Sequence, residues 1–277
     1  MIPFLDQLIA LPAWAQMWLL ALGIYAFCKV ATWWEASGWQ APVWLSLGYL
    51  FAWPGMDART FLAGINDEVS VPDMPTWFAA AGKFLFGIGL LIAAVEFVPT
   101  TQPWLQAWIG MAGIVFTLHF GIFHLLACWW RAQGVRAVSI MQSPVLSQSL
   151  VDFWSRRWNL AFRDLTHRFV FRPLASRLGG AAALWIGFLL SGLIHDVVVS
   201  LPARGGYGWP TLFFLIQAVG MTIERSRGGR RLGLGRGVRG WLFAATVLLL
   251  PSPLLFHQPF CNRVVIPFLD ALGDLLR

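Results

Sequence analysis

Charge is what this chain has least of. Only 12% of its 277 residues are Asp, Glu, Lys or Arg, against roughly 25% in an ordinary soluble domain, while 58% are hydrophobic. A chain so poor in charge must bury its apolar surface in lipid, which excludes a soluble domain and predicts an integral membrane protein. Cysteine is scarce as well. Cys28, Cys128 and Cys261 are odd in number, far apart and set in apolar context, which argues against a disulfide framework or metal-type spacing. No Ser/Pro-rich linker breaks the composition, so a single domain over 1–277 is expected. The halves share no repeat, which speaks against an inverted-repeat transporter. The first stretch lacks a basic start and carries Asp6, so insertion is expected to use the membrane helices rather than a cleaved leader. GLGRG (233–237) follows no strand and reads as a flexible basic turn rather than a phosphate loop. Neither a metal nor a redox cofactor is implied.

Long apolar runs are abundant. About 20 apolar residues cross a bilayer as a helix, and 15–33, 77–98, 104–130, 181–201, 208–223 and 240–256 qualify or nearly so. The shorter 39–53 reads as a tilted or re-entrant helix ending at Pro54-Gly55, and 260–276 as a helix that crosses or lies on the membrane. The fold expected is an all-α polytopic transmembrane bundle of seven to eight spans. Between Leu146 and Arg177 the mixed polarity and helical pattern predict amphipathic interfacial helices.

Of the 20 Lys and Arg, fourteen fall in two loops, 131–180 and 225–239. The positive-inside rule puts both loops in the cytoplasm and explains their charge without a nucleic-acid partner; counting spans back predicts a cytoplasmic N-terminus. The basicity and the missing leader point to a bacterial inner membrane, or to the endoplasmic reticulum in a eukaryote.

His195 stands alone in the apolar stretch AAALWIGFLLSGLIHDVVVSL. An imidazole at membrane depth is costly, so its default reading is functional and requires a partner; the sequence offers Asn159, at the end of DFWSRRWN. On one continuous helix, Asp152, Ser155/Arg156, Asn159 and Arg163 would share a face beside an apolar stripe of Trp154, Trp158, Phe162 and Leu165. Ser191 and Gly192 are small enough to admit a neighbouring helix or a ligand. His119 and His124 suit helix-to-helix hydrogen bonding better than zinc, and His167 and His257 read as surface residues. Asp57 and Arg59 are placed to pair at the membrane surface.

WPGMDARTFL (53–62), SLVDFWSRRWNLAFRD (149–164), SGLIHD (191–196), LPARGGYGWPTLFFLIQ (201–217) and IER (223–225) occur in this order. Over this core, about 53–225, the chain resembles the plant-type wax synthase branch of the membrane-bound O-acyltransferase superfamily. The resemblance implies a helical membrane enzyme that moves a fatty acyl group from acyl-coenzyme A to an alcohol. It makes His195 the catalytic histidine and Asn159 the asparagine of the Phe-Trp…Trp-Asn motif. Asp196 departs from the pattern, which has Glu in many relatives.

On that reading His195 takes the hydroxyl proton and Asn159 donates to the developing oxyanion or holds the thioester. Asp152, Trp154, Trp158 and Ser191 are expected to line the substrate, and Arg156, Arg157 and Arg163 to meet coenzyme A phosphates. The expected partners are acyl-coenzyme A, a hydrophobic long-chain alcohol and the lipid bilayer. The alternatives are the same fold acylating a sterol or other hydroxyl, and a lipid or proton transporter that uses His195 as helix glue or relay.

Overall fold

The computed structural model describes residues 10–276, and among these there is no strand, only one isolated bridge between Ile65 and Val135. The helices are α1 (Ala13–Glu35), α2 (Val43–Ala52), α3 (Ala58–Leu62), α4 (Met74–Glu96), α5 (Pro103–Ala132), α6 (150–157), α7 (Leu160–Ala203), α8 (Trp209–Arg225), α9 (Arg227–Leu232), α10 (Gly237–Leu255) and α11 (258–276). Five of them, α1, α4, α5, α7 and α10, are long and apolar enough to cross a membrane. The protein is a polytopic all-α bundle, turned inside out relative to a soluble one. Phe27, Phe51 and Phe97 are each at least 75% exposed, whereas Lys29, Thr32, Gln217 and His257 are at most 1% exposed. Lipid takes the place of water around the apolar rim, and every buried polar group must find a partner inside.

Local signals set the ends of the helices. Asp73 caps α4 by accepting the Thr76 N–H and hydroxyl, with Pro75 in the first turn. Those donors hold the Asp73 carboxyl below its usual range. Within the bundle, small residues bring the α4–α5 pair into backbone contact. A Cβ on Gly87 would stand 2.3 Å from the Thr117 nitrogen, so no larger residue fits.

Sidedness follows from which ends cluster. Ala13 and Trp14 pack with Val95, Trp108, Ala203 and Phe256 at one end of the bundle. Trp33 and Ala36 pack with Tyr49, Phe61, Trp130 and Val135 at the other. The second end also carries both arginine-rich loops, since Glu224 reaches Leu150 and Arg168 reaches Glu35.

Helix α2 does not cross. It descends beside α1, so that Tyr25 donates to the Trp53 carbonyl (3.1 Å) and Lys29 to the Gly55 carbonyl (2.7 Å), and the chain then returns for Arg59 to meet Glu35 at 2.6 Å. Nor does α11, whose His257 end lies against Gly206 and whose Gly273 lies against Val95, both on the far side. Among the described residues α1, α4, α5, α7, α8 and α10 run from one end of the bundle to the other, below the seven to eight spans expected, because 39–53 takes its re-entrant reading and 260–276 lies along one side. The expected cytoplasmic N-terminus lies outside the described residues; the Ala13 end of α1 sits at the end of the bundle opposite the arginine-rich loops.

The motif segment also differs from one amphipathic helix. The peptide after Arg157 breaks the helix at Trp158, and Asn159 takes left-handed angles (φ 41°, ψ 63°) before α7 begins. Asp152, Asn159 and Arg163 consequently do not share a helical face. The turn packs at membrane depth: Trp158 and Ala161 cluster with Tyr25 and Cys28, halfway along α1. Helix α7 bends at Gly179 (φ 83°, ψ 160°), which separates an arginine-bearing part, α7a (160–178), from the crossing part, α7b (180–203).

Candidate functional site

His195 lies about 22 Å along α7b from Gly180 at ~1.5 Å per residue, well inside the membrane. Its face is fixed by its neighbours. Ser191 and Gly192, four and three residues back, are buried, while Leu189, Leu193 and Val197 on the opposite side are exposed at 40–48%. The imidazole therefore points into the bundle and not at lipid. It is half-buried, with its Nδ1 2.7 Å from the Ser191 carbonyl oxygen and its ring centroid 4.5 Å from that of Phe214 on α8. A carbonyl can only accept, so the contact assigns the proton to Nδ1 and leaves Nε2 with a free lone pair.

The hydrogen-bond partner of His195 is thus Ser191, one turn back on its own helix, and not Asn159. Ser191 is itself tied down, its hydroxyl donating to the Gly187 carbonyl (2.9 Å). Gly192 admits the neighbouring helix: a Cβ there would stand 2.6 Å from the Thr211 Cα. Asp196 turns away from the imidazole, as adjacent helix positions predict. Its carboxylate accepts from the Gly208 N–H (2.8 Å), the Thr211 N–H (3.2 Å) and hydroxyl, and Ser200, so it caps α8. Directly after His195 the helix widens to π winding over Asp196–Ser200, as α6 does over Phe153–Arg157. Such widenings recur at functional sites because they re-aim side chains.

A chain of ring contacts connects the Trp-Asn motif to the histidine. Trp158 stacks on Phe153 (5.4 Å), Phe153 meets Trp154 (5.0 Å), Trp154 meets Phe214 (5.8 Å), and Phe214 carries His195. Helix α6 is anchored at its start by Glu224 of α8, whose carboxylate accepts the Leu150 N–H at 2.6 Å. Asn159 caps α7, its Oδ1 accepting the Phe162 N–H (3.2 Å) while its own N–H reaches the Met141 sulfur. That use of Oδ1 orients the carboxamide and leaves the NH2 as a donor with no hydrogen bond among the described residues.

The arginines divide. Arg157 binds Asp152 (2.6 Å) and the carbonyls of Gln142 and Ser143, and Arg163 pairs with Asp164 (2.7 Å) and reaches the Ser155 carbonyl. Both hold the segment together, while Arg156 is exposed and has no partner among the described residues.

Several polar residues gave no signal in sequence. Lys29 is 1% exposed, with its Nζ 3.2 Å from the Tyr49 ring centre. Glu35 binds Arg59 and Arg168 at once, at 2.6 and 2.5 Å, so Arg59 does not pair with Asp57, which caps Thr60 instead. Beside them lies a cleft of about 250 Å³ between the 56–59 loop and α7a. His124 meets Lys83 at 3.4 Å, a helix-to-helix contact, whereas His119 Nδ1 is buried with no hydrogen bond among the described residues. His167 is exposed. His257 is fully buried rather than at the surface, because α11 folds back beneath Gly206. It sits 3.0 Å from the Ser200 hydroxyl, which also reaches Asp196. This trio is not a nucleophile relay. His257 Nδ1 accepts the Phe260 N–H, so Nε2 carries the proton and donates to Ser200, the reverse of what activating a serine requires.

Residues 137–216, which contain both Asn159 and His195, match the family model described as "Membrane bound O-acyl transferase family". Among curated proteins, "Long-chain-alcohol O-fatty-acyltransferase" of Simmondsia chinensis is 32% identical over 140 residues, 46% of this chain and 40% of its own. "Probable long-chain-alcohol O-fatty-acyltransferase 2" of Arabidopsis thaliana is 35% identical over 142 residues, covering 48% and 41%. "Acyl-CoA--sterol O-acyltransferase 1" of Arabidopsis thaliana is 32% identical over 121 residues, covering 39% and 34%. The chain spans about two fifths of the length of these relatives. The similarity to the membrane-bound O-acyltransferase family thus falls on the segment that carries Asn159 and His195, and the relatives that share it include plant long-chain-alcohol acyltransferases.

Proposed function

We propose that this chain transfers a fatty acyl group from acyl-coenzyme A to the hydroxyl of a long-chain alcohol, giving a wax ester and free coenzyme A. The observation that carries the reading is the inward-facing His195, whose Nε2 is left as a proton acceptor by the Ser191 carbonyl. An alcohol is a weak nucleophile at neutral pH. A base in hydrogen-bond reach of its hydroxyl typically adds on the order of 10²- to 10⁴-fold in rate.

In this reaction the alcohol oxygen bonds to the thioester carbon as Nε2 takes its proton. The C–S bond then breaks, and the sulfur leaves as a thiol with the proton that the imidazolium returns. The NH2 of Asn159 serves the carbonyl oxygen while it bears charge, a role for which an amide already oriented by its cap is suited. On this reading the coenzyme approaches from the side of the arginine-bearing α7a and the acyl chain enters the apolar interior of the bundle. The relatives named above are plant proteins, which gives the expectation of a bacterial inner membrane no support.

A sterol acceptor is the second reading, favoured by the sterol acyltransferase that matches at the same 32% identity. Incubating the purified chain with radiolabelled palmitoyl-coenzyme A and, separately, hexadecanol, a sterol and a diacylglycerol decides between them. Labelled wax ester is the expected product. Steryl ester alone would move the acceptor to the second reading. Lipid binding or movement without any ester would replace catalysis by transport.

A further inference from the structure

We propose that Arg59, Arg168 and Arg172 form a phosphate subsite on the cytoplasmic side, with Glu35 as a built-in competitor for it; this rests on the acyl-coenzyme A reading above. The two guanidiniums come from separate elements, Arg59 from the return of the re-entrant segment and Arg168 from α7a. Both deliver an NH2 group to the same carboxylate, 2.6 and 2.5 Å from the two oxygens of Glu35. Two forks converging on a single multi-oxygen anion is the geometry by which arginines hold phosphate.

The cleft they border, about 250 Å³, is below the roughly 300–1,000 Å³ of whole-ligand pockets and suits a headgroup or diphosphate. Arg172 and His167 line the same cleft and have no ion-pair partner among the described residues. The two other carboxylates on its wall are already engaged: Asp57 accepts from Thr60, and Asp164 pairs with Arg163. Of the arginines that the sequence offers for phosphate, Arg157 and Arg163 are spent on internal contacts. A phosphate dianion carries more charge than Glu35 and so competes with it for the two arginines.

The phosphate can belong to coenzyme A or to a phospholipid of the facing leaflet. Titrating the full chain in neutral detergent with free coenzyme A, and separately with dihexanoyl phosphatidic acid, reads the subsite without turnover. Arg168→Gln combined with Arg172→Gln should weaken one of the two ligands by about tenfold, and Glu35→Gln should tighten the same one. Arg231→Gln, in the other basic loop, should change neither. Loss of phosphatidic acid binding alone assigns the site to lipid. Unchanged binding of both ligands in the double variant, or an equal loss in Arg231→Gln, overturns the proposal.

Turnover separates this proposal from the one it rests on. Acyl transfer with an unaltered KM for palmitoyl-coenzyme A and unaltered binding sinks the subsite and spares the enzyme. Weakened binding in a protein that never forms ester does the reverse.

Discussion

The Nδ1 atom of His195 stands 2.7 Å from the carbonyl oxygen of Ser191, one helical turn earlier, and this contact decides which nitrogen can act as a base. It is made by backbone and so does not depend on the Ser191 side chain. Ser191→Ala, which loses only the hydroxyl bond to Gly187, should keep turnover within about threefold and cost about 1 kcal/mol of stability. A loss of turnover comparable to that of a histidine variant would show that the hydroxyl meets substrate.

Asn159 has two roles that different substitutions separate. Asn159→Gly tolerates the left-handed backbone and loses only the side chain, so the protein should fold with a few tenths of a kcal/mol lost. Its turnover should nevertheless fall on the order of 10²- to 10³-fold, the usual effect of removing one oxyanion donor. Asn159→Ala adds backbone strain and should melt earlier than the glycine variant. Normal turnover by Asn159→Gly would confine Asn159 to capping.

Asp196 and Gly192 set how closely α8 lies against α7b. Asp196→Ala strands the donors of Gly208 and Thr211 and should lower stability by about 1–3 kcal/mol. Gly192→Ala forces a methyl group against the Thr211 backbone and should cost a similar amount, about 1–3 kcal/mol. Both should also reduce turnover, since Phe214 rides on α8 and carries the imidazole. Thermal unfolding in detergent, followed beside the esterification rate, checks the two together. A full rate in either variant would uncouple α8 from the site.

The neighbouring arginines should behave differently. Arg157→Ala breaks the Asp152 pair and the contacts with two carbonyls, and should lose about 1–2 kcal/mol of stability. Arg156→Ala, exposed and without a partner among the described residues, should unfold like the wild type. Equal melting curves for the two variants would refute the division.

The crossing helices and the inward imidazole are legible in sequence because hydropathy and a lone ionisable residue are one-dimensional signals. What is not legible depends on where the chain turns back. Asn159 reads as one more helical position until its backbone angles are known, and then it divides the motif in two. The apolar run that becomes α2 reads as tilted or re-entrant from its length and Pro54-Gly55, and the Lys29–Gly55 and Arg59–Glu35 contacts decide that it returns. Glu35 gave no warning either, and Glu224 stands out only as part of the IER block; each meets a partner more than twenty residues away.

The central claim is that His195 Nε2 takes the proton of the acceptor alcohol. The most direct test is the initial rate of wax-ester formation from labelled palmitoyl-coenzyme A and hexadecanol by purified His195→Ala, beside wild type and with matched melting temperature. The account predicts a rate lowered by at least on the order of 10²-fold in a protein that still folds. Ester formation at the wild-type rate would contradict it.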